Sequence, residues 1–176
     1  MEQVSLFEEI RRNSRPGPHF EERAAPLRMQ SDVDIIAFYL PQFHAIPEND
    51  MWWGTGFTEW TNVARAVPRY EGHYQPRIPR DFGFYHLDDN RIFHKQIDLA
   101  RSCGVTGFCF YYYNFNGKRL LEKPLDRYVS DATIDFPFCL MWANENWTRR
   151  WDGYHNDVLI EQTYRPEDAA ALVDDL

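Results

Sequence analysis

Three short runs of almost unbroken apolar and aromatic residues, at 34–40, 105–112 and 136–143, constrain this chain more than anything else in it. A run that is apolar at nearly every position, not every second one, suits a strand buried on both faces, as in a parallel sheet. The segments between the runs carry a different period. Ile92, Phe93, Gln96, Ile97, Ala100 and Cys103 recur every three to four residues, as on one face of a helix. Asp88 or Asp89 stands where a side chain caps such a helix, and Gly104 where a helix ends. A second helix is predicted over 124–132 with proline in its first turn, and a third over 166–176. A short extra strand is expected at 157–163. Strands alternating with helices predict an α/β fold whose parallel strands are joined by right-handed crossovers.

Three βα units fit either a doubly wound sheet or a barrel. The doubly wound reading that binds a dinucleotide needs G-x-G-x-x-G after a strand, and the sequence has none. A closed (β/α)8 barrel needs about 250 residues, so as a barrel the chain's 176 residues make an amino-terminal part of about three units. Residues 1–31 read as a leader or linker, mixed in charge, with Pro16, Gly17, Pro18 and Pro26 interrupting any helix. The barrel portion is expected over 32–176. Its first strand stops at Pro41, and a long loop follows at about 42–85. That loop is rich in aromatic residues, which disordered segments lack, so it is expected to be ordered and functional. A three-unit sheet has two open edges, which predicts self-association of the isolated chain.

Composition excludes several partners. A net charge of −8 opposes nucleic acid, which demands a basic face. No run approaches the ~18 apolar residues of a membrane span, and the first 30 residues lack the apolar core of a secretion signal. Cys103, Cys109 and Cys139 form no metal or disulfide pattern, and their apolar neighbours suggest reduced, buried thiols and a cytoplasmic location. His86, His94 and His155 have no metal-ligand spacing, and neither a metal nor a cofactor is expected. Six Trp, ten Tyr and thirteen Phe are many for one core, and stacking on flat ligands competes with plain packing as their use.

In parallel α/β domains function gathers at the carboxyl ends of the strands. The first run ends Phe38-Tyr39-Leu40-Pro41-Gln42-Phe43-His44. The second ends Tyr111-Tyr112-Tyr113-Asn114-Phe115-Asn116-Gly117, and the third Met141-Trp142-Ala143-Asn144-Glu145-Asn146-Trp147-Thr148-Arg149-Arg150. Each delivers aromatic rings together with amide, imidazole, carboxylate or guanidinium groups. Sugars need that mixture, because a pyranose has apolar C–H faces ringed by hydroxyls that both donate and accept. Carbohydrate is thus the expected partner. The candidate substrate-binding residues are Tyr39, Gln42, His44, Trp60, Tyr112, Asn114, Trp142, Asn144, Glu145 and Arg150. Polar groups at strand ends also satisfy loop backbone, which is the competing reading for any one of them. Trp52, Trp53 and Trp60 are expected to pack the long loop, with one ring exposed to ligand.

These same motifs, with Trp52-Trp53-Gly54-Thr55-Gly56-Phe57-Thr58-Glu59-Trp60-Thr61-Asn62-Val63, resemble the WbsX-type domain over about residues 34–176. That domain is similar to glycoside hydrolase family 99 and often lies in clusters for O-antigen and other surface polysaccharides. The resemblance implies a TIM barrel acting on glycosides. Family 99 enzymes cleave within mannose-containing chains with retention, through a 1,2-anhydro sugar and two carboxylates in an Asn-Glu-Trp-x-x-Glu segment. The sequence to Leu176 holds no such segment, so the catalytic residues are expected beyond Leu176 and the isolated chain is expected to be inactive. Glu145 is then expected to bind sugar hydroxyls or tune charge, not to transfer protons. WbsX-type domains carry a glycosyltransferase label while resembling hydrolases. Hydrolase, glycosyltransferase of polysaccharide assembly and non-catalytic carbohydrate-binding fragment all stay open at this point.

Overall fold

The computed structural model describes residues 5–18, 20, 22, 32–149 and 154–176. The chain divides into two compact units, residues 1–31 with 42–104, and residues 32–41 with 105–176.

The first unit is built from helices and turns. Helix α1 (Leu6–Asn13) starts at Ser5, whose Oγ accepts from the Glu8 N–H at 3.2 Å while Glu8 Oε2 accepts from the Ser5 N–H at 3.1 Å. This reciprocal cap satisfies two donors that the first turn would otherwise orphan. The expectation that prolines interrupt any helix in 1–31 fails here, because α1 fits wholly ahead of Pro16. Its buried Glu9 accepts from the Gly72 N–H at 2.9 Å, and Asn13 Nδ2 donates to His73 O at 2.9 Å. Stretch 42–85 also differs from the single long loop expected. It holds α2 (Pro47–Trp53), with proline at the first helical position, and α3 (Glu59–Arg65). Asp50 Oδ1 accepts from Gly56 N–H at 2.8 Å and Phe57 N–H at 3.3 Å, closing the turn between the two helices. The Leu87 N–H donates to Phe43 O at 2.9 Å and ties the ends of the stretch together. Helix α4 (Asn90–Ser102) has the expected period, with Ile92, Phe93 and Ile97 buried. Asp89 Oδ1 accepts from Arg91 N–H at 3.0 Å as its cap, and Gly104 ends it with φ of 80°.

The second unit contains the sheet. Strands β1 (Ile36–Tyr39), β2 (Gly107–Phe115) and β4 (Phe138–Trp142) are the three apolar runs, and they are parallel, with β2 in the middle. The α/β class with a parallel sheet is therefore as the sequence predicts. Gly107 lets β2 approach the backbone ahead of β4, since a Cβ there would lie 2.9 Å from Pro137 O. Between β2 and β4 come β3 (Lys118–Leu120) and α5 (Glu122–Ser130). The far end of β2 runs past its parallel neighbours and pairs antiparallel with β3 through Asn116-Gly117. Those two residues have φ of 54° and 88°, the two positive values that a tight hairpin turn requires. Strands β5 (Trp147–Arg149) and β6 (Tyr154–Ile160) make a second antiparallel pair, and α6 (Pro166–Asp175) follows.

One face of the sheet holds the core. Phe110 is wholly buried, with Tyr39, Tyr128 of α5 and Phe138 at ring distances of 4.5, 5.0 and 6.0 Å. Tyr128 donates its O–H to Phe136 O at 2.8 Å, fixing α5 against this face. Among the described residues of this unit, the opposite face is covered at its far end, where Trp147 packs on Tyr113 and Phe115. Burial on both faces thus holds for the far end of β2 but not for its neighbours: Phe38 is 67% and Ile36 56% exposed. The thiols also correct the sequence reading. Cys103 and Cys139 are exposed and Cys109 half-buried; the last two pair across β2 and β4 on the side opposite the core. Among the described residues no helix is long and apolar enough to cross a membrane.

Candidate functional site

Along the covered face of β2 the side chains run Phe108, Phe110, Tyr112, Asn114. The strand passes from rings with no polar atom, to a ring with one, to an amide. The core therefore grades into a polar patch without a break in the backbone. Alternation of side chains across a strand keeps all four on one side.

At the polar end several groups converge. Trp142, at the end of β4, donates its Nε1–H to Asn114 O at 3.2 Å. Asn114 Oδ1 accepts from Gly117 N–H at 2.8 Å, and its Nδ2 donates to Asp175 Oδ2 at 2.7 Å. The Tyr112 hydroxyl donates to the same carboxylate oxygen. Burial pushes the Tyr112 phenol pKa up, and the bond to Asp175 acts in the same direction. Arg119, returned by the Asn116-Gly117 turn, places its guanidinium 5.5 Å from the centre of the Tyr112 ring. It pairs with Asp126 at 2.7 Å, while its Nε stands 3.9 Å from Asp175 Oδ2. Tyr164 donates its hydroxyl to Asn144 O and sets its ring 6.4 Å from Trp142. Below these, Asn146 Oδ1 accepts from Gln162 N–H at 2.7 Å and Asn116 Oδ1 from the Thr163 hydroxyl at 2.9 Å. The result is a half-buried indole beside an exposed phenol, with amide, carboxylate and guanidinium groups at hand.

Of the sequence candidates, Tyr112, Asn114, Trp142 and Asn144 come together here. Glu145 is exposed in the bend after β4, and Arg150 lies outside the described residues. Tyr39 is buried against Phe108 and Phe110, in a packing role. Gln42, His44 and Trp60 belong to the first unit: Gln42 is half-buried and His44 fully buried. Trp60 donates its Nε1–H to Tyr85 O at 2.7 Å and packs on Phe43, Phe84 and Tyr85. Sequence reasoning missed Arg119, Tyr164 and Asp175. The Asn-Gly turn was a local signal for the return of Arg119, whereas Asp175 sits on a distant helix with no motif around it. It also missed Glu59, whose carboxyl is raised by burial from 4.5 to about 7. Among the described residues no group of three or more His, Cys, Asp or Glu is placed to hold a metal ion.

A family model described as "Glycosyltransferase WbsX" matches residues 35–176. The uncharacterized protein WxcX of Xanthomonas campestris pv. campestris strain B100 is 51% identical over 155 residues, covering 88% of this chain and 22% of that protein. WxcX of strain ATCC 33913 of the same pathovar matches with the same identity and coverage. The chain thus spans about a fifth of the length of the curated relatives it matches. No solved structure matches it.

Proposed function

The chain belongs to the WbsX glycosyltransferase family, and from that premise we propose that it supplies the sugar-holding part of an enzyme acting on glycosidic linkages of a surface polysaccharide, with mannose-type chains as the first candidates. The observation that carries this reading is the convergence of Trp142, Tyr164, Asn114 and Tyr112 at the ends of β2 and β4. An indole beside a phenol matches the C–H face of a pyranose, and the amide and hydroxyl groups match its rim of hydroxyls. Exposed Glu145 on the same strand end is assigned to hydroxyl binding.

We read the three parallel strands as consecutive strands of a (β/α)8 barrel. In support, they lie side by side in sequence order and α5 covers one face. The other face bears Ile36, Phe38, Cys109, Tyr111, Cys139 and Met141, the side that inward-pointing layers fill in such a barrel.

The test is a titration of the intact protein with manno-oligosaccharides, followed by tryptophan fluorescence and calorimetry. Trp142→Ala should weaken binding by roughly tenfold to a hundredfold, as loss of a central aromatic anchor does. Trp142→Phe keeps a ring and should lose less. Unchanged affinity in a folded Trp142→Ala protein would remove the stacking assignment. Turnover that requires a nucleotide-sugar donor assigns transfer, and sugar release in water alone assigns hydrolysis.

A further inference from the structure

The contact between Asp175 and the end of β2 has a chemistry of its own. Tyr112 Oη and Asn114 Nδ2 both donate to one oxygen, Asp175 Oδ2. Arg119 Nε faces the same oxygen from 3.9 Å, too far for a hydrogen bond, and among the described residues that buried N–H has no acceptor. The three donors define a place for a carboxylate, and one of them is not reached by the carboxylate that occupies it. An anion that kept the Tyr112 and Asn114 bonds and also accepted from Arg119 Nε would satisfy a donor that Asp175 leaves unmet.

Apart from this contact, α6 is anchored at its first turn, where Asp168 Oδ2 accepts from the Thr163 hydroxyl at 2.7 Å. No residue of α6 is buried, and Val173 of the same helix is 71% exposed. A helix fixed as part of a core would bury an apolar stripe. Charge favours exchange of like for like. Arg119 pairs through Nη2 with Asp126, and a carboxylate at the Asp175 position completes its surroundings where a neutral hydroxyl does not.

We infer that Tyr112, Asn114 and Arg119 form a carboxylate subsite for an acidic, uronic-acid-type residue of the polysaccharide, and that Asp175 fills this subsite when no ligand is present. The inference rests on the proposed carbohydrate reading and narrows its substrate to chains that carry carboxylates. Asp175 competes from within the chain, so its removal raises the fraction of open subsite and with it the apparent affinity.

The test compares methyl glucuronide with methyl glucoside by calorimetry on the intact protein, its Asp175→Ala and Arg119→Gln variants, with inorganic phosphate as a separate anion arm. Charge-assisted bonds are about twice as strong as neutral ones, so the glucuronide should bind at least about tenfold tighter than the glucoside. Asp175→Ala should strengthen glucuronide binding by a further factor of about ten and change glucoside binding by less, so that the preference for the glucuronide widens. Arg119→Gln should abolish the preference. Where Asp175→Ala does not fold by circular dichroism, Asp175→Asn, which keeps shape and loses charge, should shift affinity in the same direction. Equal binding of the two sugars, or no response to either Asp175 variant, overturns the subsite while leaving the carbohydrate reading intact. Phosphate competing as well as the glucuronide overturns it in favour of a general anion site. Failure of every sugar to bind overturns both readings.

Discussion

Glu59→Gln isolates the balance of forces at the start of α3. Glu59 is the first residue of that helix, where the helix dipole favours a carboxylate by about 0.3–1 kcal/mol. Burial opposes the charge, and burial wins, because the carboxyl is raised from 4.5 to about 7. Between those values the folded chain holds a proton that the unfolded chain has lost. The stabilisation is therefore complete below pH 4.5 and disappears as pH rises through 7. A difference of that size corresponds to on the order of 3 kcal/mol, at 1.36 kcal/mol for each pH unit. Glu59 is only half-buried, and solvent screening brings the figure to roughly 1.5 kcal/mol. Glutamine has the same shape and no proton to release. Urea denaturation of both proteins at pH 4.5 and pH 8 should show equal stability at the lower pH. At the higher pH the variant should be more stable by roughly 1.5 kcal/mol. Parallel pH profiles for the two proteins, or a wild type that is the more stable at pH 8, would refute the argument, since either result means the anion has a partner that compensates its burial.

Phe110→Ala removes the ring shared by Tyr39, Tyr128 and Phe138 and should cost about 3–5 kcal/mol in chemical denaturation. Gly107→Ala places a Cβ 2.9 Å from the Pro137 carbonyl oxygen, which is backbone and cannot swing away; a loss of about 1–3 kcal/mol is expected by the same assay. The isolated 176-residue chain should elute as more than a monomer in light-scattering chromatography, because β1 and β4 pair only with β2 among the described residues and Phe38 lies 67% exposed. A monodisperse monomer with a cooperative melt would count against it. Glu145→Gln in the intact protein should weaken substrate binding by about tenfold, whereas normal binding with lost turnover would make Glu145 the acid–base residue.

The parallel core was legible because its signals are local. Three runs with no polar alternation became β1, β2 and β4, and the Asp89–Gly104 frame around a 3.6-residue period became α4. The helices α2 and α3 were hidden because Pro47, Gly54 and Gly56 read as loop, although Pro47 starts one helix and the two glycines link it to the next. Burial misled in a different way. Ile36 and Phe38 have the composition of a two-faced strand, but composition records what a strand can bury, not whether this chain supplies the cover. The site divided along the same line. Tyr112, Asn114 and Trp142 follow from the strand-end rule, whereas Asp175 reaches them across more than sixty residues of chain, a tertiary fact with no sequence period.

Asn114 shows why the fold and the candidate site have to be perturbed separately. Its backbone oxygen takes the Trp142 N–H, its Oδ1 takes the Gly117 N–H in the hairpin turn, and its Nδ2 holds Asp175. Any replacement of this side chain breaks the last two together and moves Arg119, which depends on that turn for its position. An affinity lost at residue 114 would then report the hairpin as much as the ligand contact, because residues sharing partners do not contribute additively. Tyr112 is different. Its ring lies on the covered face of β2 and only its hydroxyl belongs to the polar cluster, so Tyr112→Phe deletes one donor and keeps the packing. A binding change in that variant, with an unchanged melt, is energy that belongs to the site and not to the sheet beneath it.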